Sequence, residues 1–329
     1  MTTQFASPSA HRVQALQYTE PLFSSGDIDG WNLNYTQLST GRYESASVEV
    51  VFGGLQICTA DWNSTLHQCG IAQPDSYVFG IPSEMRGEGR FNGQHWSGSA
   101  CVVFRGEEEF DTYSPPMKLL VLSISRDLFA DYLETVEHVS SENFMKKGVL
   151  MIADPARSSS AYNTLSSLVD GCRRDPNIIE CPQGRGGITQ TTLETLAPLV
   201  EDNVKPAQNS FAGLNRTQVV RRAREFVLSN LDEPLQIVDL CRELGVSRRA
   251  LQYSFQDVLN INPVTYLRLL RLNGARRDLV NAGVSPVHVQ DVIARWGFWH
   301  FSRFSAEYKK MFNELPSETL RRALQNPGE

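Results

Sequence analysis

The segment 235–258 contains a run of side chains that could form hydrogen bonds with nucleotide bases. Leu251, Phe255 and Val258 recur at i, i+4 and i+7, which predicts the buried face of a helix. The outer face then carries long polar side chains, namely Arg248, Arg249, Gln252, Tyr253 and Gln256. An arginine can donate two hydrogen bonds to a guanine edge, and a glutamine amide suits adenine. This face therefore has the chemistry required in a DNA major groove.

A short helix and a tight turn precede that face in the sequence. The inner side of the short helix is apolar and consists of Ile237, Leu240, Cys241 and Leu244. Gly245 permits the left-handed backbone of a turn, and Ser247 can cap the next helix. The pattern predicts a helix-turn-helix unit. An ordinary helical hairpin with a solvated outer face is the alternative when this unit is taken alone.

A second unit of the same kind follows at 289–312. Its first helix is predicted from Val289, Val292 and Ile293, and Gly297 marks the turn. The buried face of its second helix is aromatic and consists of Phe304, Tyr308 and Phe312. The side chains left outside or at the edge are His300, Arg303, Ala306, Lys309 and Lys310. Two such units in one chain indicate DNA binding more specifically than one unit does.

The segment between the two units predicts a connecting helix. Asn262 can cap it, Pro263 suits its first turn, and it can continue to about residue 282. Some twenty residues at a rise of 1.5 Å span roughly 30 Å. Successive major grooves on one side of a duplex are about 34 Å apart. One polypeptide could therefore place both helix-turn-helix units, here called the two reading heads, on the same side of DNA.

The charge of the chain is divided unevenly along its length. Residues 1–213 contain 14 Lys and Arg against 25 Asp and Glu, a net charge of −11. Residues 214–329 contain 17 against 12, a net charge of +5, so that the whole chain carries −6. A basic part joined to an acidic part indicates that the second part meets a polyanion.

The first part of the sequence is typical of strands followed by helices. Between about residues 43 and 125, short alternating apolar runs are separated by Gly, Pro and Asn-Gly signals, which favours a compact β-barrel or sandwich. Helical patterns follow, including one over 191–204 that Pro198 should kink or split. The segment 205–213 mixes Pro, Gly and polar residues. We therefore expect a first domain at 1–204, a linker at 205–213 and an all-helical domain at 214–329, an α+β chain.

The sequence also resembles the arabinose-regulator (AraC/XylS) family of transcription factors. The motifs are Val246-Ser-Arg-Arg-Ala-Leu-Gln-Tyr-Ser-Phe255, Arg271-Leu-Asn-Gly-Ala-Arg-Arg277, Gly297-Phe-Trp-His-Phe-Ser-Arg-Phe-Ser-Ala-Glu-Tyr308 and Glu314-Leu-Pro-Ser-Glu-Thr-Leu320. Within that family the chain looks most like the ethanolamine-operon regulator and the benzoate-responsive members. A weaker resemblance reaches the first domain at Tyr35-Thr-Gln-Leu38, Gly41-Arg-Tyr43 and Phe79-Gly-Ile-Pro82.

The resemblance implies an architecture and a set of base-facing positions. The first domain would be a cupin-like effector-binding barrel with flanking, dimerising helices. The positions that tend to face bases correspond to Arg249, Gln252, Tyr253, Arg303 and Ala306. Many members carry a longer polar or charged residue where this chain has Ala306. A small-molecule effector would bind in the first domain, where Trp62, Tyr77, Phe79 and Trp96 could line a pocket, although aromatic residues in strands more often form the core.

These features together predict a cytoplasmic, ligand-responsive, sequence-specific transcriptional regulator, an activator of a catabolic or related operon. Its expected partners are double-stranded promoter DNA, a small-molecule effector, a second copy of the chain and RNA polymerase. We expect no cofactor, no metal and no membrane contact, since no apolar run is long enough for a span.

Other functions of the first domain remain open at this stage. The domain could sense cysteine modification through Cys58, Cys69 or Cys101, or it could respond to a protein partner. A cupin-type metal enzyme fused to the DNA-binding domain is a further alternative. We expect no enzyme, because His11, His67, His95 and His138 include no His-x-His pair.

Overall fold

The computed structural model describes residues 11–21, 30–138, 150–152, 154–201, 211–231, 235–284 and 288–325. The described strands, in chain order, are β1 Arg12–Tyr18, β2 Asn32–Gln37, β3 Ser45–Phe52, β4 Leu55–Trp62, β5 Leu66–Ile71, β6 Ser76–Ser83, β7 Gly89–Phe91, β8 Gln94–Trp96, β9 Cys101–Arg105, β10 Phe110–Ser114, β11 Met117–Ser125 and β12 Leu150–Ile152. They precede nearly all of the helices, as the change in sequence periodicity predicts.

The strands pair into two antiparallel sheets. The larger sheet has the order β1-β3-β4-β11-β6-β9-β12, and the smaller has the order β2-β5-β10-β7-β8. Two tight hairpins set the register locally. Gly53 and Gly54 join β3 to β4, and Asn92 and Gly93 join β7 to β8, all four with positive φ. Such residues favour the two-residue turns whose twist matches that of antiparallel strands.

The two sheets face each other across an apolar core. Leu33 and Phe110 approach this core from the smaller sheet, and Val102 and Leu119 approach from the larger sheet, all of them buried. Among the described residues, no strand pairing joins the two sheets. The first part is therefore an arrangement of two facing sheets and not the closed cupin-like barrel that the resemblance implies. Short strands with turn signals do not distinguish these outcomes, because closure depends on how the edge strands pair.

Three helices follow the sheets: α1 Arg126–Thr135, α2 Pro155–Arg174 and α3 Pro182–Glu201. Asp154 caps α2 by accepting hydrogen bonds from the backbone of Ala156 and Arg157. The expected split at Pro198 is wrong, because α3 is one helix that contains this residue. Pro198 lies in the last turn, and its carbonyl accepts a hydrogen bond from Arg157 at 2.6 Å. A proline so close to the end of a helix interrupts few of its backbone hydrogen bonds, so the helix can continue through it.

The remaining described helices are α4 Phe211–Ser229, α5 Ile237–Leu244, α6 Arg248–Leu259, α7 Pro263–Val280, α8 Val289–Arg295, α9 Phe301–Phe312 and α10 Pro316–Gln325. Residues 205–210 of the expected linker lie outside the described residues, and residues 211–213 already belong to α4. Two separate apolar clusters stabilise this helical part, one around Phe255 and Tyr266 and the other around Trp296 and Tyr308. In the described part of the chain, no helix has the length and apolar character needed to cross a membrane.

Candidate nucleic-acid interface

The first helix-turn-helix unit consists of α5 and α6. Gln236 and Asp239 form a capping box at the start of α5, and Gly245 ends that helix in the left-handed conformation, with φ of 66°. The Ser247 hydroxyl then accepts a hydrogen bond from the Ala250 backbone at 3.1 Å, which caps α6. Leu251 is fully buried. These local signals agree with the sequence prediction and fix the direction of α6 relative to α5.

The outward side of α6 is polar and exposed. It carries Arg248, Arg249, Gln252, Tyr253 and Gln256, all exposed as the sequence predicts. The Arg249 guanidinium donates to the Tyr253 hydroxyl at 3.2 Å and lies 5.3 Å from the centre of its ring. This contact between neighbouring turns restricts both side chains before any ligand arrives. The Gln256 amide donates to the Asn260 side chain at 2.8 Å, at the far end of the helix.

The second unit consists of α8 and α9. Gly297 has a φ of 72° in the turn, and the side chains of Phe304, Tyr308 and Phe312 form the predicted aromatic core. Trp296 anchors this unit to α7, since its indole nitrogen donates to Asp278 at 2.9 Å.

The outward side of α9 presents a different chemistry from that of α6. It carries His300, Arg303, Ala306, Lys309 and Lys310, all exposed. The Arg303 side chain donates to Glu307 at 2.9 Å, and Glu307 also forms an ion pair with Arg268 of α7. Arg303 is therefore held along its own helix. The Arg303–Glu307 pair has the i,i+4 spacing of a local helix contact, whereas the contact of Glu307 with Arg268 joins residues 39 positions apart and has no local sequence signal.

Helix α7 joins the two units, as predicted. Asn262 caps it and Pro263 occupies its first turn. Its 18 residues correspond to roughly 27 Å at 1.5 Å per residue. Both apolar clusters include residues of α7, so the two reading heads are packed on one rigid element.

The smaller sheet contacts the helical part on its outer side. Asn273 of α7 accepts a hydrogen bond from the Gln37 backbone at 2.9 Å and donates to the Gln37 carbonyl at 3.0 Å. His67 lies between Asp111, at 2.8 Å, and the Tyr266 hydroxyl, at 2.9 Å. Burial raises the pKa of Tyr266 well above its ordinary value, so its hydroxyl keeps its proton. All of these side chains are buried.

Ion pairs extend the same contact on both sides. Arg221 of α4 donates to Asp111 at 3.0 Å, and Arg276 of α7 donates to Glu20 at 2.6 Å. Burial of Arg276 lowers its pKa, but the hydrogen bond and charge of Glu20 outweigh that effect and raise it overall. The Gly41 backbone also donates to the Met311 carbonyl of α9 at 2.8 Å. Both helix-turn-helix units are thus tied to the first part of the chain.

A cavity of about 120 Å³ lies between the two sheets. Its wall is mostly apolar and aromatic, with one polar side where the Gln56 amide donates to Glu49 at 2.7 Å and accepts from Trp31 at 2.8 Å. The Ser123 hydroxyl also lies in this wall, is buried, and has no hydrogen-bond partner in the structure. This polar group was not predicted from the sequence, because no local pattern indicates that Glu49 and Gln56 are buried.

The four aromatic residues expected to line a pocket separate into two pairs. Trp62 and Trp96 line the cavity, and their indole nitrogens donate to the carbonyls of Pro115 and Ala100. Tyr77 and Phe79 do not line it, and both rings pack edge-on against Phe129 of α1 instead.

One group in the described residues has the composition of a metal site. Ligand atoms of His67, Cys69 and Asp111 all lie within 4.8 Å of one another. The three residues are buried, and both ring nitrogens of His67 already have partners. Both carboxylate oxygens of Asp111 are engaged as well, by His67 and by Arg221. The contacts present are therefore those of a satisfied hydrogen-bond network between the two parts of the chain.

The cysteines proposed as sensors are buried. Burial raises the pKa of Cys58 and of Cys69 to about 12, and it raises the pKa of Cys101 as well. The reactive thiolate is consequently scarce at neutral pH at all three positions. Cys181 is exposed, and Cys241 is partly exposed.

The C-terminal helices match known proteins. Residues 240–322 match the family model described as a helix-turn-helix domain. The probable thc operon regulatory protein of Rhodococcus erythropolis is 39% identical over 103 residues, which are 31% of this chain and 31% of that protein. The XylDLEGF operon transcriptional activator 3 of Pseudomonas putida is 31% identical over 101 residues, 31% of this chain and 30% of that protein. The chain thus spans under a third of the length of these curated relatives.

A solved structure is similar to about a third of the chain. The crystal structure of a probable AraC family transcriptional regulator from Rhodopseudomonas palustris CGA009 is 32% identical. The match covers 32% of this chain and 97% of that chain, with a TM-score of 0.30. Two helix-turn-helix units with exposed polar faces define a DNA-binding domain of the kind found in transcriptional regulators. The C-terminal helices thus contain a helix-turn-helix domain that is similar to those of AraC-type transcriptional regulators.

Proposed function

We propose that this chain is a ligand-responsive, sequence-specific transcriptional regulator that activates a catabolic or related operon. The domain at 214–329 would read DNA, and the domain at 1–204 would bind the effector and dimerise. The observation that carries this proposal is the pair of exposed faces on α6 and α9, which are joined by α7. The length of α7, roughly 27 Å, is comparable with the roughly 34 Å between successive major grooves.

The two faces support different roles for their side chains. Arg248, Arg249, Gln252 and Tyr253 have the donors and acceptors that discriminate base edges. On α9, Lys309 and Lys310 are exposed near the end of the helix and would neutralise phosphates. His300 and Arg303 lie at the start of α9, where a recognition helix meets base edges.

The cavity supports a small effector with a mostly apolar body and one polar group. An apolar cavity of roughly 150 Å³ can hold benzene, so the 120 Å³ found here suits a compound of about that size. Ser123 and the Glu49–Gln56 pair could bind the polar group. The likeness to the ethanolamine-operon regulator and to benzoate-responsive members makes small amines and aromatic acids the first compounds to test.

Effector binding could reach the DNA-binding domain through the smaller sheet. Gln68 of β5 and Thr112 of β10 line the cavity, whereas the residue that precedes each of them points to the other side of the sheet. These preceding residues are His67 and Asp111, which contact the helical domain. Since side chains alternate along a strand, a shift of β5 or β10 caused by a ligand would move the interface directly.

A homodimer and contact with RNA polymerase complete the proposal. The apolar faces of α2 and α3 are buried within one copy of the chain, for example at Leu165 and Leu196. Dimerisation would therefore use other surfaces of the first domain. A dimer would carry four reading heads, which suits two adjacent half-sites in a promoter.

The test of DNA binding uses the full chain and the fragment 214–329 with promoter-length duplexes. We expect the fragment to bind, with an affinity that falls steeply with salt, because phosphate neutralisation releases counterions. Binding that does not depend on salt, or no binding to any duplex, would contradict the proposal. The effector is tested separately by a thermal-shift screen of small amines and aromatic acids on the full chain.

A further inference from the structure

The exposed aromatic residues of this chain lie on the two reading heads. In the part of the chain whose side chains the structure describes, three Phe, Trp or Tyr side chains are exposed: Tyr253 at 51%, Trp299 at 71% and Phe301 at 51%. Tyr253 is on α6, Phe301 is the first residue of α9, and Trp299 lies two residues before it. The remaining described aromatic side chains of these types are at least partly buried. Exposed aromatic surface is therefore concentrated where DNA would bind.

The second head has few side chains able to form hydrogen bonds with bases. Arg303 is engaged with Glu307, and Glu307 is in turn engaged with Arg268. Ala306 is exposed but too short to donate or accept a side-chain hydrogen bond. Lys309 and Lys310 lie at the other end of α9, where they favour phosphates. The start of this head thus combines the exposed apolar surface of Trp299 and Phe301 with the polar side chain of His300, and cationic side chains lie further along the same helix.

The base feature that matches an apolar reading surface is the C5-methyl group of thymine. Thymine presents this methyl group in the major groove, and Phe and Ala are side chains that contact it. We infer that Trp299 and Phe301, at the start of α9, bind thymine methyl groups of promoter DNA. The second head accordingly adds methyl contacts to the selection of its half-site, whereas the first head selects by hydrogen bonds. This inference rests on the proposed function and specifies the chemistry of one of its two reading heads.

The experiment removes the methyl groups and nothing else. Duplexes bound by the full chain are selected from a random-sequence pool, and each thymine of the selected site is replaced in turn by uracil. We expect uracil in the half-site read by α9 to weaken binding about fourfold per contacted methyl group, as the burial of one methyl group predicts. Uracil in the half-site read by α6 should have little effect.

Two variants assign the effect to the protein surface. Trp299→Ala and Phe301→Ala should each weaken binding to the thymine duplex and reduce its preference over the uracil duplex, and the double variant should abolish that preference. Because Trp299 is mostly exposed, its removal leaves the buried core intact. Val136→Ala removes an apolar side chain that is 53% exposed, close to the exposure of Phe301, at the C-terminal cap of α1, and it should change neither affinity nor preference.

The outcomes separate this inference from the proposed function. Salt-dependent binding of the full chain without any preference for thymine would overturn the methyl contacts and leave DNA binding in place. Trp299→Ala with unchanged DNA binding but lost transcription would also overturn them, in favour of a protein contact. Failure of the full chain to bind any duplex would overturn both.

Discussion

Arg249 and Tyr253 lie one helical turn apart and contact each other on the exposed side of α6. A restrained arginine loses less conformational entropy when it forms two hydrogen bonds to one base. We expect Arg249→Ala to cost about 1–3 kcal/mol at one base position and to relax discrimination there. Lys309→Ala should instead weaken all sequences alike and reduce the salt slope. Fluorescence anisotropy on a set of single-base variants measures both. Equal loss on specific and nonspecific DNA would reassign Arg249 to a phosphate contact.

The buried thiols give a second prediction at the level of single residues. Cys58 and Cys69 have a pKa of about 12 because burial disfavours the thiolate, so they remain protonated at every pH below that value. A thiol reagent at pH 7.5 should modify Cys181 quickly and Cys241 more slowly in the native protein. Cys58 and Cys69 should react only after unfolding. Mass spectrometry of peptides after timed labelling checks this order. Rapid labelling of Cys58 in the folded protein would instead support control by cysteine modification.

At the scale of elements, the packing of α7 depends on Gly274, although glycine is usually unfavourable in the middle of a helix. A Cβ atom on Gly274 would lie 2.0 Å from the Trp296 ring, so the second helix-turn-helix unit can pack on α7 only without a side chain there. We expect Gly274→Ala to lower the free energy of unfolding by about 1–3 kcal/mol, since the ring must move.

A matched control exists in α2, where a Cβ on Gly171 meets nothing within 4 Å. Gly171→Ala should be neutral or should stabilise the protein by up to about 1 kcal/mol through helix propensity. Urea unfolding measures both variants. Similar effects of the two substitutions would show that contact with Trp296 does not limit the packing of α7.

The elements that the sequence predicts well are those specified by local signals. Helices α5 to α9 follow from spacings of three and four residues, from Ser247 and Asn262 as caps, and from Gly245 and Gly297 in the turns. The sheets depend on distant pairings, since β11 lies between β4 and β6. No local pattern specifies that order, so the sequence favoured a barrel or a sandwich but could not predict which strands pair.

The cavity shows how sensitive strand predictions are to a single position. Tyr77 and Phe79 were expected to line a pocket, but Val78 and Gly80 occupy its wall. Successive side chains of β6 point to opposite faces, so a difference of one residue changes the side of the sheet completely. The buried Phe129 of α1 covers the face that carries Tyr77 and Phe79. The position of that helix depends on the tertiary fold and not on the sequence of β6.

At the scale of the whole molecule, the two parts of the chain are joined by buried polar contacts. Asn273 pairs with both backbone groups of Gln37, and Arg276 is buried against Glu20. These residues are more than 230 positions apart in each pair. The acidic first part thus supplies carboxylates to a basic domain, which gives part of the charge asymmetry a structural role within the molecule.

The Asn273 contact provides the last prediction, because it can be measured with and without the first domain. In the full chain, Asn273→Ala leaves the backbone N–H and carbonyl of Gln37 buried without their side-chain partner. An unsatisfied buried group costs about 1–3 kcal/mol, so the free energy of unfolding should fall by about that amount or somewhat more. In the fragment 214–329 the same substitution removes only the hydrogen bond from Asn273 to the Leu269 carbonyl, and the cost should be clearly smaller.

Circular dichroism first establishes that both forms of the fragment are folded, and hydrogen exchange of the α7 amides then reports local stability in each context. The difference between the two contexts gives the contribution of the interface. That contribution also limits how strongly an effector could couple to DNA binding through this contact, since a ligand shifts an equilibrium only by its differential affinity for the two states. Equal costs in the full chain and in the fragment would mean that Asn273 stabilises α7 alone, and the path from the cavity to the reading heads would then have to run through His67 and Asp111.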